Sequence, residues 1–135
     1  MKKYKIILVE NDEDERFFMK EGFHEAGLFD ILAEAENGDE LLAWLTHPER
    51  TLPDVILSDL NMPGKNGYDI LAFMKANPIY ASIPIIITST SSTPAFREQC
   101  LALGATDYMT KPDTFVEYAP FARTLYRRIE EKKGV

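Results

Sequence analysis

Five short, β-rich apolar runs alternate with longer segments of helical period, and that alternation leaves few folds open to this chain. The runs are KIILV (5–9), DILAEAE (30–36), DVILS (54–58), IPIIITS (83–89) and TDYMTK (106–111). Most are nearly continuous in apolar residues, as strands buried on both faces require. The first intervening segment, 13–26, carries Phe17, Phe18, Met19 and Phe23 at spacings that suit an amphipathic helix. The second opens with Asn37 as a candidate N-cap and places Leu41, Leu42, Trp44 and Leu45 on an apolar stripe. The third repeats the period through Ile70, Leu71, Phe73 and Met74 and stops near Asn77-Pro78. The fourth begins at Pro94 and ends at Gly104, as helices tend to begin and end. The last spans 114–132, with Pro120 either kinking it or marking its true start. Strand–helix repeats of this kind imply right-handed crossovers and a parallel sheet with helices on both faces.

A length of 135 residues suits one domain over 1–135, with no linker or internal repeat and no room for a second domain. The single cysteine, Cys100, permits no internal disulfide and reads as a small apolar residue in a helix. No run reaches the ~18 apolar residues of a membrane span, and the start MKKYKIILVEND is too acidic for a signal peptide. A cytoplasmic protein is expected, with no membrane partner. The net charge of −7 disfavours direct nucleic-acid binding. Acids Glu10, Asp12, Glu13, Asp14 and Glu15 crowd the first strand's exit, while Arg123, Arg127, Arg128, Lys132 and Lys133 suit a solvated helix face.

Ligands of open parallel sheets bind outside the carboxyl ends of the strands. The first strand delivers Glu10, Asn11 and Asp12 there. The third delivers Asp59 and then Asn61, in the loop SDLNMPGKNGYD. The fourth delivers Thr88, and the fifth Lys111-Pro112. Singly each is ordinary: an Asp after a strand is often a turn former, and TSTSST (88–93) reads as a polar loop. Together they carry a chemistry. Clustered carboxylates call for a hard cation such as Mg²⁺, a lysine for an anion, and a hydroxyl for a hydrogen bond. That set describes a phosphoryl site, with Asp59 as covalent acceptor.

The stretches ILVEND, VILSDLNMPGKNGYDIL, IPIIITS and GATDYMTKP, taken together, resemble the receiver domain of two-component response regulators across the whole chain. The resemblance implies a flavodoxin-like three-layer sandwich with strand order 2-1-3-4-5 and five helices. It implies Asp59 as phospho-acceptor, with Thr88 and Lys111 on the phosphoryl oxygens. Mg²⁺ would be held by Glu10, Asn11, Asp59 and the carbonyl of Asn61. Tyr108 matches an aromatic that swings inward on activation, so Thr88 and Tyr108 form the switch. The Lys111–Pro112 peptide is commonly cis in the family. One position departs: where two adjacent acids are usual this chain has Glu10-Asn11, and Asp12 stands next door to compensate.

The expected partners are a sensor histidine kinase or phosphotransfer protein upstream and a protein target downstream, with the chain a monomer or weak dimer. The expected role is a phosphorelay switch rather than an enzyme. One rival is a degenerate receiver that binds partners constitutively because Asn11 weakens the metal site. A second is an aspartyl-phosphate hydrolase, against which DLN (59–61) offers an amide where a second acid is needed. A flavin carrier fits least, since acids at the first strand's exit would repel a cofactor phosphate.

Overall fold

A computed structural model describes residues 2–133. Its strands are β1 (Tyr4–Val9), β2 (Phe29–Ala35), β3 (Val55–Asp59), β4 (Ile85–Ser89) and β5 (Asp107–Thr110). The helices are α1 (Glu13–Ala26), α2 (Gly38–Thr46), α3 (Gly67–Ala76), α4 (Pro94–Ala102) and α5 (Tyr118–Lys133). All five strands run parallel in the order β2-β1-β3-β4-β5, the flavodoxin-like arrangement.

Period-two alternation splits the apolar residues into two cores. Ile6, Leu8, Val55, Leu57, Ile86 and Met109 face α1 and α5, where they meet Phe23, Phe121 and Leu125. Their neighbours Ile7, Val9, Ile56, Ile85, Ile87 and Tyr108 face α2, α3 and α4, against Leu41, Ile70, Met74 and Cys100. With both faces covered, the sheet offers ligands only its carboxyl edge.

Local chemistry sets the helix ends. Asp12, Asn37 and Asn66 each accept the N–H of the residue three positions on, and Asn66 forms a full capping box with Asp69. Gly27 closes α1 with φ 69°, a left-handed conformation that glycine takes without strain. Asn37 and Pro94 act as the sequence suggests.

Two readings change. The segment 114–132 is not one helix: a 3₁₀ turn at Phe115–Glu117 precedes α5. Pro120 falls in the first turn of α5, where its missing N–H has no acceptor to lose, so the helix starts just before it and needs no kink. On α1, Met19 and Phe23 are buried, but Phe17 and Phe18 are exposed and pack edge-on against each other. At about 100° per residue, Met19 and Phe23 share a face, while Phe17 points nearly opposite.

The close approach of α1 to α5 depends on Gly22. A Cβ there would lie 2.6 Å from Tyr118 Cβ and 2.7 Å from the Ala119 nitrogen, which is rigid helical backbone. Gly22→Ala must push the helices apart despite its better helix propensity. We expect a loss of about 1–3 kcal/mol in chemical denaturation; equal or greater stability would show that this seam yields easily.

Candidate functional site

Parallel register brings the strand exits level. Asp59 ends β3 directly beside Thr88 of β4, and the chain continues past Thr110, the last residue of β5, to Lys111, whose N–H donates to the Ser89 carbonyl (2.8 Å). Glu10 follows β1. Glu10, Asp59 and Thr88 are all buried, at 1%, 6% and 1% exposure. Polar groups this deep need partners or a purpose.

Lys111 is the principal partner. Its Nζ lies 2.7 Å from Glu10 Oε1, 3.1 Å from Glu15 Oε1 and 3.4 Å from Asp59 Oδ2. Three carboxylates therefore surround one ammonium. The second oxygen of Glu10 accepts the Asp12 N–H at 3.0 Å, and Asp59 Oδ1 lies 3.4 Å from the Asn61 N–H. Arg16 donates to the Glu10 carbonyl (2.7 Å), fixing the strand exit from outside.

Burial raises the pKa of both Glu10 and Asp59, although Lys111 and nearby backbone N–H groups pull it down. For Lys111, burial favours the neutral form. The Glu10 hydrogen bond and the charges of Asp59, Glu10 and Glu15 outweigh it, so the ammonium is held above the ordinary lysine range. The lysine thus stays charged.

The Thr88 hydroxyl is buried and has no hydrogen-bond partner, although its residue sits beside Asp59. Such an orphan is rare in a folded chain. Tyr108 is already turned inward: it is buried, and its hydroxyl donates to the Ser91 carbonyl (2.6 Å), gripping the loop between β4 and α4. The Lys111–Pro112 peptide is trans, as all peptide bonds are among the described residues.

Glu10, Asp59, Thr88 and Lys111 therefore meet at one edge. Asn11 is exposed in the turn before α1, and Asn61 is exposed just past β3. Asp12 does not turn toward the cluster, because its carboxylate caps α1. Two members escape the sequence reading, Glu15 and Tyr118. Asp12 and Glu15 have the spacing of a capping box, in which Glu15 would accept the Asp12 N–H. Glu10 accepts that N–H instead, so Glu15 reaches Lys111 with one oxygen and takes the Tyr118 hydroxyl with the other. The acidic run was a signal for Glu15; nothing local marked Tyr118.

No three His, Cys, Asp or Glu side chains form a ready-made metal group among the described residues. Mg²⁺ does not demand one, because it is usually held by one or two carboxylates, water and a phosphate oxygen. Glu10 and Asp59 supply hard oxygen donors of that kind and fit the ion, in competition with Lys111.

Residues 6–118 match the family model of the response regulator receiver domain, and the chain belongs to that family. Its members work in two-component phosphorelays, interact with histidine kinases and phosphotransfer proteins, and bind Mg²⁺ at the phosphorylation site. The probable transcriptional regulatory protein SilR of Salmonella typhimurium is 32% identical over 92% of this chain and 51% of its own length. The transcriptional regulatory protein CusR of Escherichia coli K12 is 30% identical, over 92% and 52%. The chain thus spans about half the length of these curated relatives. Among solved structures, the phosphorylated cyanobacterial phytochrome response regulator RcpA is 26% identical, covers 91% of both chains and superposes with a TM-score of 0.80. No helix among the described residues is long and apolar enough to cross a membrane.

Three carboxylates against one ammonium leave the cluster strained by charge. Asp59 holds a proton more tightly folded than unfolded, so stability is lost as pH climbs from the unfolded value near 3.8 through the raised folded one. Asp59→Asn removes that loss while keeping an oxygen for the Asn61 N–H. We expect the variant to melt a few degrees higher at neutral pH, a gain of about 1 kcal/mol. The gain should vanish below pH ~3.5, where the carboxyl is protonated in both states. A lower melting temperature at neutral pH would mean that the contact with Lys111 outweighs the repulsion.

Proposed function

We propose that this chain is a single receiver domain that accepts a phosphoryl group on Asp59 and changes its affinity for protein partners in response. The observation that carries the reading is the buried Asp59 carboxylate facing Lys111, with the unpartnered Thr88 hydroxyl next to it. A carboxylate oxygen of Asp59 attacks phosphorus, and the bond to the donor's imidazole nitrogen breaks, its electron pair returning to the ring. Lys111 balances charge on the transferred group, and the Thr88 hydroxyl donates to one of its oxygens. Mg²⁺, held by Glu10, Asp59 and the Asn61 carbonyl, would neutralise further charge. RcpA carries phosphate in its own structure, which supports this reading.

The donor is a sensor histidine kinase or phosphotransfer protein. Its counterpart downstream is a protein, since a net charge of −7 suits the domain poorly to nucleic acid. The cytoplasm is the compartment where such a relay operates. The domain is a switch rather than a turnover enzyme. Because Tyr108 is already inward, phosphorylation shifts population by engaging Thr88 at the end of β4 and fixing the β4–α4 loop that Tyr108 grips.

Intact mass after incubation with acetyl phosphate and Mg²⁺ tests the acceptor. The wild type should gain one hydroxylamine-labile phosphoryl group and Asp59→Asn none. Thr88→Ala should still take up the group but lose at least half of the change in amide exchange over α4. A phosphorylated Asp59→Asn protein would move the acceptor elsewhere. A wild type that takes up nothing would favour a receiver that binds its partner constitutively.

Asn11 puts a neutral amide where the resemblance calls for a metal-binding acid, and Asp12 is committed to the α1 cap. Asn11→Asp should therefore tighten Mg²⁺, by about tenfold or more, as one added charge at ~4 Å allows. Amide shifts of Asn61 against Mg²⁺ give the affinity. Asp12→Ala should instead cost about 1 kcal/mol of stability through the lost cap. An unchanged Mg²⁺ affinity in Asn11→Asp would place Asn11 outside the metal shell.

A further inference from the structure

Lys111 has three N–H donors and is surrounded by three carboxylates. Its shortest contact is to Glu10, at 2.7 Å, and its longest is to Asp59, at 3.4 Å. The N–H that faces Asp59 serves a phosphoryl oxygen there directly; for a second N–H of Lys111 to turn to the group, Glu10 or Glu15 must give up its hold. Glu10 cannot do so easily, being 1% exposed with its other oxygen on the Asp12 N–H. Glu15 can. It reaches in from the first turn of α1, its side chain is 16% exposed, and its second oxygen already has the Tyr118 hydroxyl. Tyr118 itself is buried at the start of α5.

We propose that Glu15 is a positioning residue that competes with the phosphoryl group for Lys111, and that Tyr118 sets the strength of that competition by sharing the Glu15 carboxylate. The inference rests on the phospho-acceptor reading of Asp59. In the resting protein Glu15 keeps the ammonium divided between three anions. When a phosphoryl group arrives, Lys111 turns to it and Glu15 falls back on Tyr118. The nearby Glu15 charge also repels the dianion, so the phosphorylated form is less favourable than the same site without it. The competition ties the site to the seam between α1 and α5.

Two substitutions pull in opposite directions. Glu15→Gln keeps an oxygen for Lys111 and Tyr118 but removes the charge, so the phosphoryl group should bind better. Tyr118→Phe keeps the buried ring but leaves Glu15 with Lys111 alone, so binding should weaken. General loosening of the site would make both variants weaker. The test is a titration of fluoroberyllate, a phosphoryl mimic, at fixed Mg²⁺ into wild type, both variants and the double variant, followed by the Thr88 and Asn61 amide shifts. We expect Glu15→Gln to bind about tenfold tighter and Tyr118→Phe several-fold weaker. In the Glu15→Gln background, Tyr118→Phe should change nothing further. Unchanged or weaker binding by Glu15→Gln, or two single variants shifted the same way, would overturn the proposal while leaving Asp59 as acceptor. No binding by the wild type would overturn the acceptor reading and this inference with it.

Discussion

One ammonium, that of Lys111, holds the carboxyl edge of this sheet together. It is buried, it touches Glu10, Glu15 and Asp59, and they come from the end of β1, helix α1 and the end of β3. Removing a buried partner of this kind strands the charges left behind, which is far costlier than losing a surface ion pair. The arrangement is also incomplete by design of its charges: three negative groups face one positive one. Such a cluster lowers stability in the resting state and leaves the edge ready for a cation. The orphaned Thr88 hydroxyl, buried one strand across, belongs to the same unfinished set.

The edge is rigid because the two cores beneath it are. Asp59 and Thr88 are paired in register, the Leu60 N–H donates to the Thr88 carbonyl (2.9 Å), and Ile85, Ile86 and Ile87 lead β4 into place with no exposure to speak of. A side chain at the end of such a strand has little freedom to drift. Beyond Ser89 the chain enters the loop before α4, where the Tyr108 hydroxyl on the Ser91 carbonyl adds a long-range restraint to the local hydrogen bonds among Ser89, Ser91 and Thr93. The rigid part positions chemistry, and the restrained loop beside it is where a response can form.

Much of this was legible in the sequence, for definite physical reasons. Strands buried on both faces must be continuous apolar runs, so KIILV and IPIIITS announced themselves. The parallel topology then placed Glu10, Asp59, Thr88 and Lys111 on one edge before any distance was known. What stayed hidden depended on side-chain direction. Phe17 and Phe18 read as core because apolar character says nothing about which way a residue points once Met19 and Phe23 have claimed the inner face. The start of α5 was blurred by Pro120, which is compatible with a kink or a first turn until the backbone decides. Glu15 was one of five acids crowding the exit of β1 with nothing to single it out, and Tyr118 lies over a hundred positions away from it in sequence.

The position of Glu15 also bears on the departure at Asn11. Two adjacent acids after β1 would have put the site's negative charge on a short, exposed turn. Here that turn contributes Glu10 alone to the Lys111 cluster, and another carboxylate enters from α1. The charges around Lys111 therefore have different anchorages. A charge carried on a turn depends on that turn only; a charge carried on α1 depends on how α1 lies against α5. That packing is close at Gly22, where no side chain separates the helix from Tyr118, and Tyr118 is the residue that shares the Glu15 carboxylate. A small shift of α1 would therefore move the Glu15 charge relative to Lys111, and a change at Lys111 would be felt along the seam. Coupling of this kind is reciprocal by thermodynamic necessity. In this chain the electrostatics of the site and the packing of two helices outside it are one problem.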